Sequence, residues 1–570
     1  MVFPFAVLWA TETAMRRMDV GTPTEVALAS KRNPSGTSWY LNPRVDVVCC
    51  ASDLRGPEPR AFELPKPVSS YRIVVVGASS VQGYPYSSEI AFPRQLQLAL
   101  LKQDPSRTIE VLNAGIVGVS TTPLADLVSR LPQIDPDLII VYAGHNEFYG
   151  VGGVATNANA SRIGILTRRF RLGQLITNLL SPADADAKSN ASELISRLPG
   201  THHIPVSSEL MEVAESRYRS NLNQMCRSAQ AAGIPLLLCS VVCNLHDQSP
   251  ARTATVEETA SFERMITDEH AQNGDEGVCR VLQRLTQDTP EDAVPHYRLA
   301  QCLERLGRVA EAAEAYRLAR DLDLCRYRAP GSYRDIVRDV AANAGSGVHF
   351  VDLVPVFAEH SKLAAPGNDL FLEHVHLSVD GHWLVARSLA QSIVEDVWQS
   401  AWSATAVPNP DERDEWLGVI PEDHLVGAKL AFFINETPPF DGAIDAVEQG
   451  RRLDQRYQNL RGNLTEDELT PFLSLPHQTQ IDDLVDGLGR YHLGQGNIPK
   501  ALNYFEISVR RRPWMPNGYV FHAVCSHLMG DDAAARKYLE QSRQTVMPES
   551  APLIRDRNRL MRELSSFNSL

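Results

Sequence analysis

From residue 70 onward the chain alternates short apolar runs with stretches whose apolar residues return every three or four positions. The runs are "RIVVVG" (72–77), "IEVLNAG" (109–115), "DLIIVYAG" (137–144), "IPLLLCSVV" (234–242) and "VHFVDLVPVF" (348–357). Among the helical stretches are "RQLQLALLKQ" (94–103), "DLVSRL" (126–131) and "YRSNLNQMCRSAQAAG" (218–233). Near-continuous apolar strands followed by helices at this spacing predict βαβ units around a parallel sheet buried on both faces. Residues 28–66, rich in Pro, Gly, Ser and Arg without a period, read as an extended lead-in.

About a hundred residues separate the last two apolar runs, whereas a βα connection takes roughly 2 to 6, so something is inserted there. "LAQCLERLGRVAEAAEAYRLA" (299–319) aligns with "GLGRYHLGQGNIPKALNYFEIS" (487–508) and "FHAVCSHLMGDDAAARKYLEQS" (521–542) on Gly307, Gly496 and Gly530. Seven positions before each glycine stand Ala300, Gly489 and Ala523; five after stand Ala312, Ala501 and Ala535; nine after stand Tyr316, Phe505 and Leu539. Small residues let two antiparallel helices approach, a large one fills the seam and glycine makes the turn. Gly496 and Gly530 lie 34 residues apart, and the pattern resembles the tetratricopeptide repeat, whose period is that length. One such hairpin is expected in the insert and at least two in the C-terminal third, with a weaker one over 421–458.

Composition narrows the classes. With 44% apolar residues the chain can bury a sizeable core. The 55 basic residues against 69 acidic ones give a net charge of −14 and offer no long positive surface, so nucleic acid is not expected as a partner. The nine cysteines (49, 50, 226, 239, 243, 279, 302, 325, 525) form no CxxC and read as small buried hydrophobes. No run of 18 apolar residues encodes a membrane span. The opening "MVFPFAVLWA" reads either as the tail of a longer membrane anchor or as a helix docked on the body.

The turn after the first strand, "GASSVQG" (77–83), suits two chemistries. A dinucleotide-binding turn of the short-chain dehydrogenase kind needs Gly-x-Gly after "VVVGASS", where Val81 and Gln82 follow and only Gly83 remains, and a tyrosine four residues before a lysine, which none of the 16 tyrosines provides. A serine nucleophile instead needs a distant histidine base, an acid to orient it, and N–H donors for the oxyanion. "GASSVQG" has the GxSxxxG pattern of the first block of the GDSL, or SGNH, hydrolases, with Ser79 as its serine; "NAGIVG" (113–118) resembles the second block, "GHNE" (144–147) the third and "EHVH" (373–376) the last, DxxH. The blocks follow the family's order, each at the C-terminal end of a predicted strand or in the loop beyond, where open parallel sheets build sites. "GYPYSSEIAFPRQL", "NLHDQSP" and "EHVHLSVDGHWLVA" extend the resemblance to a bacterial subgroup in which such a domain is joined to tetratricopeptide repeats.

The resemblance implies a three-layer, flavodoxin-like α/β SGNH hydrolase domain plus all-α repeats. The expected bounds are 1–66 for the lead, 67–265 and 328–400 for the two parts of the hydrolase domain, 266–327 for the inserted hairpin, and 401–570 for the C-terminal helical region, clearest over 481–545. It implies Ser79 as nucleophile, His376 as base, Glu373 as orienting acid, and Ser79 N–H, Gly118 N–H and Asn146 as the oxyanion hole. Two positions depart from the family pattern: Ala78 stands where it has Asp, and Glu373 is one methylene longer than its Asp. Ser80 is the rival nucleophile; His374, next to Glu373, is expected to point elsewhere on an extended segment; Glu147 reads as structural; and "HVH" lacks neighbours at zinc-ligand spacing.

The implied activity is hydrolysis of O-acyl esters, acetyl groups on a glycan among them, with no cofactor, while the repeats recruit a protein partner. The implied location is the bacterial cell envelope or periplasmic face, with membrane association through an upstream anchor; a cytoplasmic location stays open. The competing reading is a scaffold that binds partners through its repeats and keeps an idle hydrolase fold. If the halves are independent, a cut near residue 405 is expected to leave small-ester hydrolysis intact.

Overall fold

A computed structural model describes residues 2–30, 36–45, 55–155, 162–180, 203–250, 256–361, 363, 365–547 and a few positions between 553 and 562; Cys49 and Cys50 lie outside them. Its centre is a five-stranded parallel sheet. Three short strands come first, β1 (Ala27–Ala29), β2 (Ser38–Leu41) and β3 (Ala61–Glu63), and form a separate antiparallel sheet. The parallel sheet consists of β4 (Ser70–Gly77), β5 (Thr108–Gly115), β6 (Leu138–Tyr142), β7 (Leu236–Cys239) and β8 (Val348–Val351), in the order β5-β4-β6-β7-β8. Numbered within the sheet this is the doubly wound order 2-1-3-4-5, whose switch point lies beside its first strand.

The period of two along each strand sorts its side chains to two covered faces. Val74, Val76, Leu112, Ile139 and Val141 face the helices Thr121–Val128, Glu209–Ala231 and Ser332–Ala344. Ile73, Val75, Val111, Leu138 and Ile140 face Phe92–Gln103 and Val379–Ser392. The result is three layers, helices on both sides of a sheet that presents its C-terminal edge to the loops.

Where an extended lead-in was expected, the described residues within 28–66 carry β1–β3: Leu41 and Phe62 are buried in the main core, and the buried Arg72 of β4 donates to the Glu63 carbonyl at 2.8 Å and to Glu110 Oε2 at 2.8 Å, tying the small sheet to the large one. The run 348–357 is strand only to Val351; Asp352 then caps the helix Leu353–His360 through the Val354 N–H. At the start of the chain, the helix Val2–Arg17 docks by its second half, where Glu12 accepts the N–H groups of Arg171 and Leu172, each at 3.1 Å. Among the described residues no helix is long and apolar enough to cross a membrane.

The repeat-like segments form helical hairpins: Ala293–Arg305 with Val309–Leu322, Leu484–Gly494 with Ile498–Arg511, and Pro516–Leu528 with Asp532–Arg543. Their turn glycines Gly307, Gly496 and Gly530 have φ of +71°, +76° and +84°, the left-handed region that favours glycine. Ala300, Ala312, Ala501, Ala523 and Ala535 are fully buried, and a Cβ on Gly489 would meet the Phe505 ring at 2.7 Å. The small-small-large pattern is therefore the packing seam. The helices Pro421–Asn435 and Ala446–Gly462 also pair, across a longer connection.

These helical parts share cores with the α/β layers. Tyr86, Ile90, Leu372 and Val379 cluster with Ala431 and Leu453 from the C-terminal region, while Val375 lies in the core of the inserted hairpin with Ala300 and Tyr316. The stretch from Leu372 to Val379 is thus held between both.

Candidate active site

The register sets the site. Gly77 pairs with Gly115 on one side and with Tyr142 on the other, so β4, β5 and β6 end side by side. A one-turn helix, Ser79–Gln82, follows β4 directly. It lies so close to the sheet that a Cβ on Gly115 would stand 2.3 Å from the Gln82 backbone nitrogen, and one on Gly77 2.2 Å from the Tyr142 carbonyl oxygen. The buried Asn113 fixes this turn, donating from Nδ2 to the Val81 carbonyl at 2.8 Å while its Oδ1 accepts the Gly115 N–H at 3.0 Å. Asn113 and the two glycines stand in the quoted motifs, yet their use as a seat for Ser79 was not read from them.

Across the sheet edge, Ser79 Oγ lies 2.8 Å from His376 Nε2, and His376 Nδ1 faces Glu373 Oε1 in a short contact. Ser79 is 9% exposed and Glu373 and His376 each 4%, so the three polar groups meet almost out of water. The Tyr84 ring edges onto the imidazole with centroids 5.2 Å apart. Ser80 turns away and donates to the Val375 carbonyl at 3.4 Å, which leaves Ser79 as the serine facing the histidine.

The segment 373–376 is not extended. The Leu372 N–H donates to the His376 carbonyl at 2.8 Å, and the Glu373 side chain curls back to accept the His376 N–H at 3.0 Å and the Val375 N–H at 3.3 Å. This turn corrects the expectation for His374, whose Nδ1 faces the second oxygen of Glu373 instead of pointing elsewhere. Both imidazoles of "HVH" thus turn Nδ1 to one carboxylate. Burial by itself would raise the Glu373 carboxyl, but the two imidazoles beside it hold it well below the usual carboxylate range. Burial pulls His374 down, against the pull of Glu373, and so favours its neutral form.

Of the residues expected to hold an oxyanion, Gly118 and Asn146 lie together in the loops after β5 and β6. Gly118, with φ of +75°, accepts the Val151 N–H at 2.8 Å, and a Cβ on Gly150 would lie 2.5 Å from Asn146 Cβ and 2.9 Å from the Gly118 carbonyl oxygen. The second and third blocks are therefore packed on each other. Among the described residues, the Ser79 N–H, the Gly118 N–H and the Asn146 side-chain amide have no acceptor. Beside Asn146, His145 is locked neutral between the Val242 carbonyl and the Ala329 N–H, burial bringing it down to about 3. Glu147 accepts both the Thr121 N–H and hydroxyl at 2.7 Å and starts the helix Thr121–Val128, a structural part as read. Burial pushes its carboxyl up to about 7.

The tetratricopeptide repeat family matches residues 280–324, which contain the inserted hairpin. Repeats of this kind generally serve in binding protein partners. No curated protein matches the chain.

Proposed function

We propose that this chain is a serine ester hydrolase of the SGNH type that recruits a protein partner through its repeats. The observation that carries the reading is the relay Ser79–His376–Glu373, with 2.8 Å between hydroxyl and imidazole. In this mechanism His376 Nε2 takes the Ser79 proton as Oγ attacks the acyl carbonyl. The carbonyl oxygen becomes an oxyanion facing the unpaired donors of Ser79, Gly118 and Asn146. Collapse expels the alcohol, which takes the proton back from His376, and a water repeats the cycle on the acyl-enzyme. Glu373 stays ionised throughout and holds the Nδ1–H tautomer. Ala78 removes no group from this sequence, and the longer Glu373 reaches the imidazole by curling back on its own backbone.

The substrate class, O-acyl esters with acetylated glycans among them, and an envelope location rest on the family resemblance. The test is a fluorophosphonate probe with short-chain p-nitrophenyl esters. Label on Ser79, and loss of both label and hydrolysis in Ser79→Ala, support the reading. A wild-type protein that neither hydrolyses the esters nor takes the probe would leave the partner-binding scaffold as the better account.

A further inference from the structure

Glu373 has two imidazole neighbours, and the mechanism above uses one. His376 Nδ1 is hydrogen-bonded to Oε1, while His374 Nδ1, a buried nitrogen that meets no acceptor in hydrogen-bond geometry, lies directly against Oε2. His374 is 4% exposed and fixed from three sides: its ring lies 4.5 Å from Phe440, 6.0 Å edge-on from Tyr327 and 6.0 Å from the His376 ring, centroid to centroid. Its carbonyl accepts the Asn244 N–H at 2.9 Å. A buried side chain held this firmly, with a nitrogen on the acid, has a defined electrostatic effect on it.

We propose that His374 is a positioning residue: donating from Nδ1 to the second oxygen of Glu373, it fixes the carboxylate's rotation and draws off part of its charge, so that Glu373 orients His376 without taking its proton. The inference rests on the esterase reading, because it assigns His374 a role in that relay. When His376 receives the Ser79 proton at Nε2, its Nδ1 proton has one acceptor, Glu373. A carboxylate already accepting from His374 and from the N–H groups of Val375 and His376 is a weak base. The proton stays on His376 and returns from Nε2 to the leaving alcohol.

The other ionisable groups around His374 are accounted for. Arg328 is paired with Asp323 at 2.8 Å and donates to the carbonyls of Asn244 and Gln248. Burial keeps His145 and Tyr327 neutral, and Cys325 lies beyond Tyr327 with its thiol pushed up to about 12. The C-terminal loop contributes Pro439, Phe440 and Ala443, none of which titrates.

The experiment is histidine titration by NMR in the full-length chain labelled with ¹⁵N-histidine, the His376 signal assigned by its loss in His376→Asn. In the wild type both His374 and His376 should carry the proton on Nδ1. His374→Phe keeps the ring against Phe440 and Tyr327 but removes the donor, so the carboxylate becomes more basic and the His376 titration should rise by roughly one pH unit. His374→Asn, whose amide can stand in for Nδ1–H, should restore it. The pH dependence of fluorophosphonate labelling at Ser79 should move in parallel. A wild-type His374 protonated on Nε2, which is read without any variant, overturns the proposal, and so does an unmoved His376 titration in a folded His374→Phe. A Ser79 that never takes the probe, while both tautomers and the titration shift are as stated, overturns the esterase reading and leaves the coupling of the two imidazoles standing.

Discussion

The ring of Phe440 lies 4.5 Å from the imidazole of His374, although 66 residues separate them in the chain. Phe440 belongs to the connection between two C-terminal helices, so the helical region forms a wall behind the Glu373 carboxylate. Arg456 adds a hydrogen bond to the Asn368 carbonyl at 3.1 Å, and Gly427 lets its helix approach Tyr86 and Leu372. The independence of the two halves that the sequence suggested is not what the packing shows.

A chain cut near residue 405 should therefore lose hydrolysis along with stability. The cut uncovers Tyr86, Ile90, Leu372 and Val379, all 2% exposed or less. Thermal unfolding and limited proteolysis of the 1–405 fragment should show a lowered or absent transition and early cleavage between 366 and 380. A fragment that melts like the full chain and retains its activity would disprove this.

Asn146→Ala should lower kcat by roughly 10² to 10³ with little change in KM, the effect of removing one donor that acts on the oxyanion. Its amide has no partner among the described residues, so the substitution should leave the melting temperature nearly unchanged. Steady-state kinetics separate this from ground-state binding, which would raise KM alone.

Gly115→Ala tests the seat of Ser79, the proposed nucleophile. The added methyl would stand 2.3 Å from a backbone nitrogen of the Ser79–Gln82 turn, and only movement of that turn relieves the overlap. Displacement of Ser79 by about 1 Å should reduce kcat on the order of a hundredfold. The fluorophosphonate labelling rate should fall with it, while circular dichroism still reports a folded protein.

Glu147 gives the stability a pH dependence. Its carboxyl titrates near 7 in the folded chain against an ordinary 4.5, so the folded state holds the proton more tightly. Its contribution is full below about 4.5 and is lost as the pH rises through 7, roughly 3 kcal/mol over that range. Denaturant unfolding of wild type and Glu147→Gln at pH 5 and pH 8 should show the larger decline in wild type. Equal declines would mean that Glu147 keeps an ordinary affinity for its proton.

What could be read from the chain and what could not have a physical basis. The apolar runs gave the parallel strands because a strand buried on both faces leaves a signal in consecutive residues, as in Ile73–Val76. The seams of the hairpins were legible for the same reason, since Ala300, Ala312 and Tyr316 meet within one local unit. Ser79 and His376 could be paired only through the resemblance, the structure then bringing them within hydrogen-bond distance. The strands β1–β3 leave no signal in the chain because they are three or four residues long and are held from outside, by the burial of Leu41 and Phe62 in the main core and by Arg72. His374 was misread because its direction depends on a turn closed by the Glu373 side chain, and Phe440 could not be anticipated, since a contact across domains leaves no period in either.

The loop from Leu372 to Val379 rests on a hairpin made before it and on helices made after it, which gives the site an order of assembly during translation. Ser79 can take its seat once β6 has left the ribosome, and the inserted hairpin can form before His376 emerges. The cover over Leu372 and His374 arrives only with residues 421–458. A nascent chain thus carries its serine for some 360 residues before the histidine is held against it, and ribosome-bound chains ending before residue 421 should not react with a fluorophosphonate that labels the finished protein.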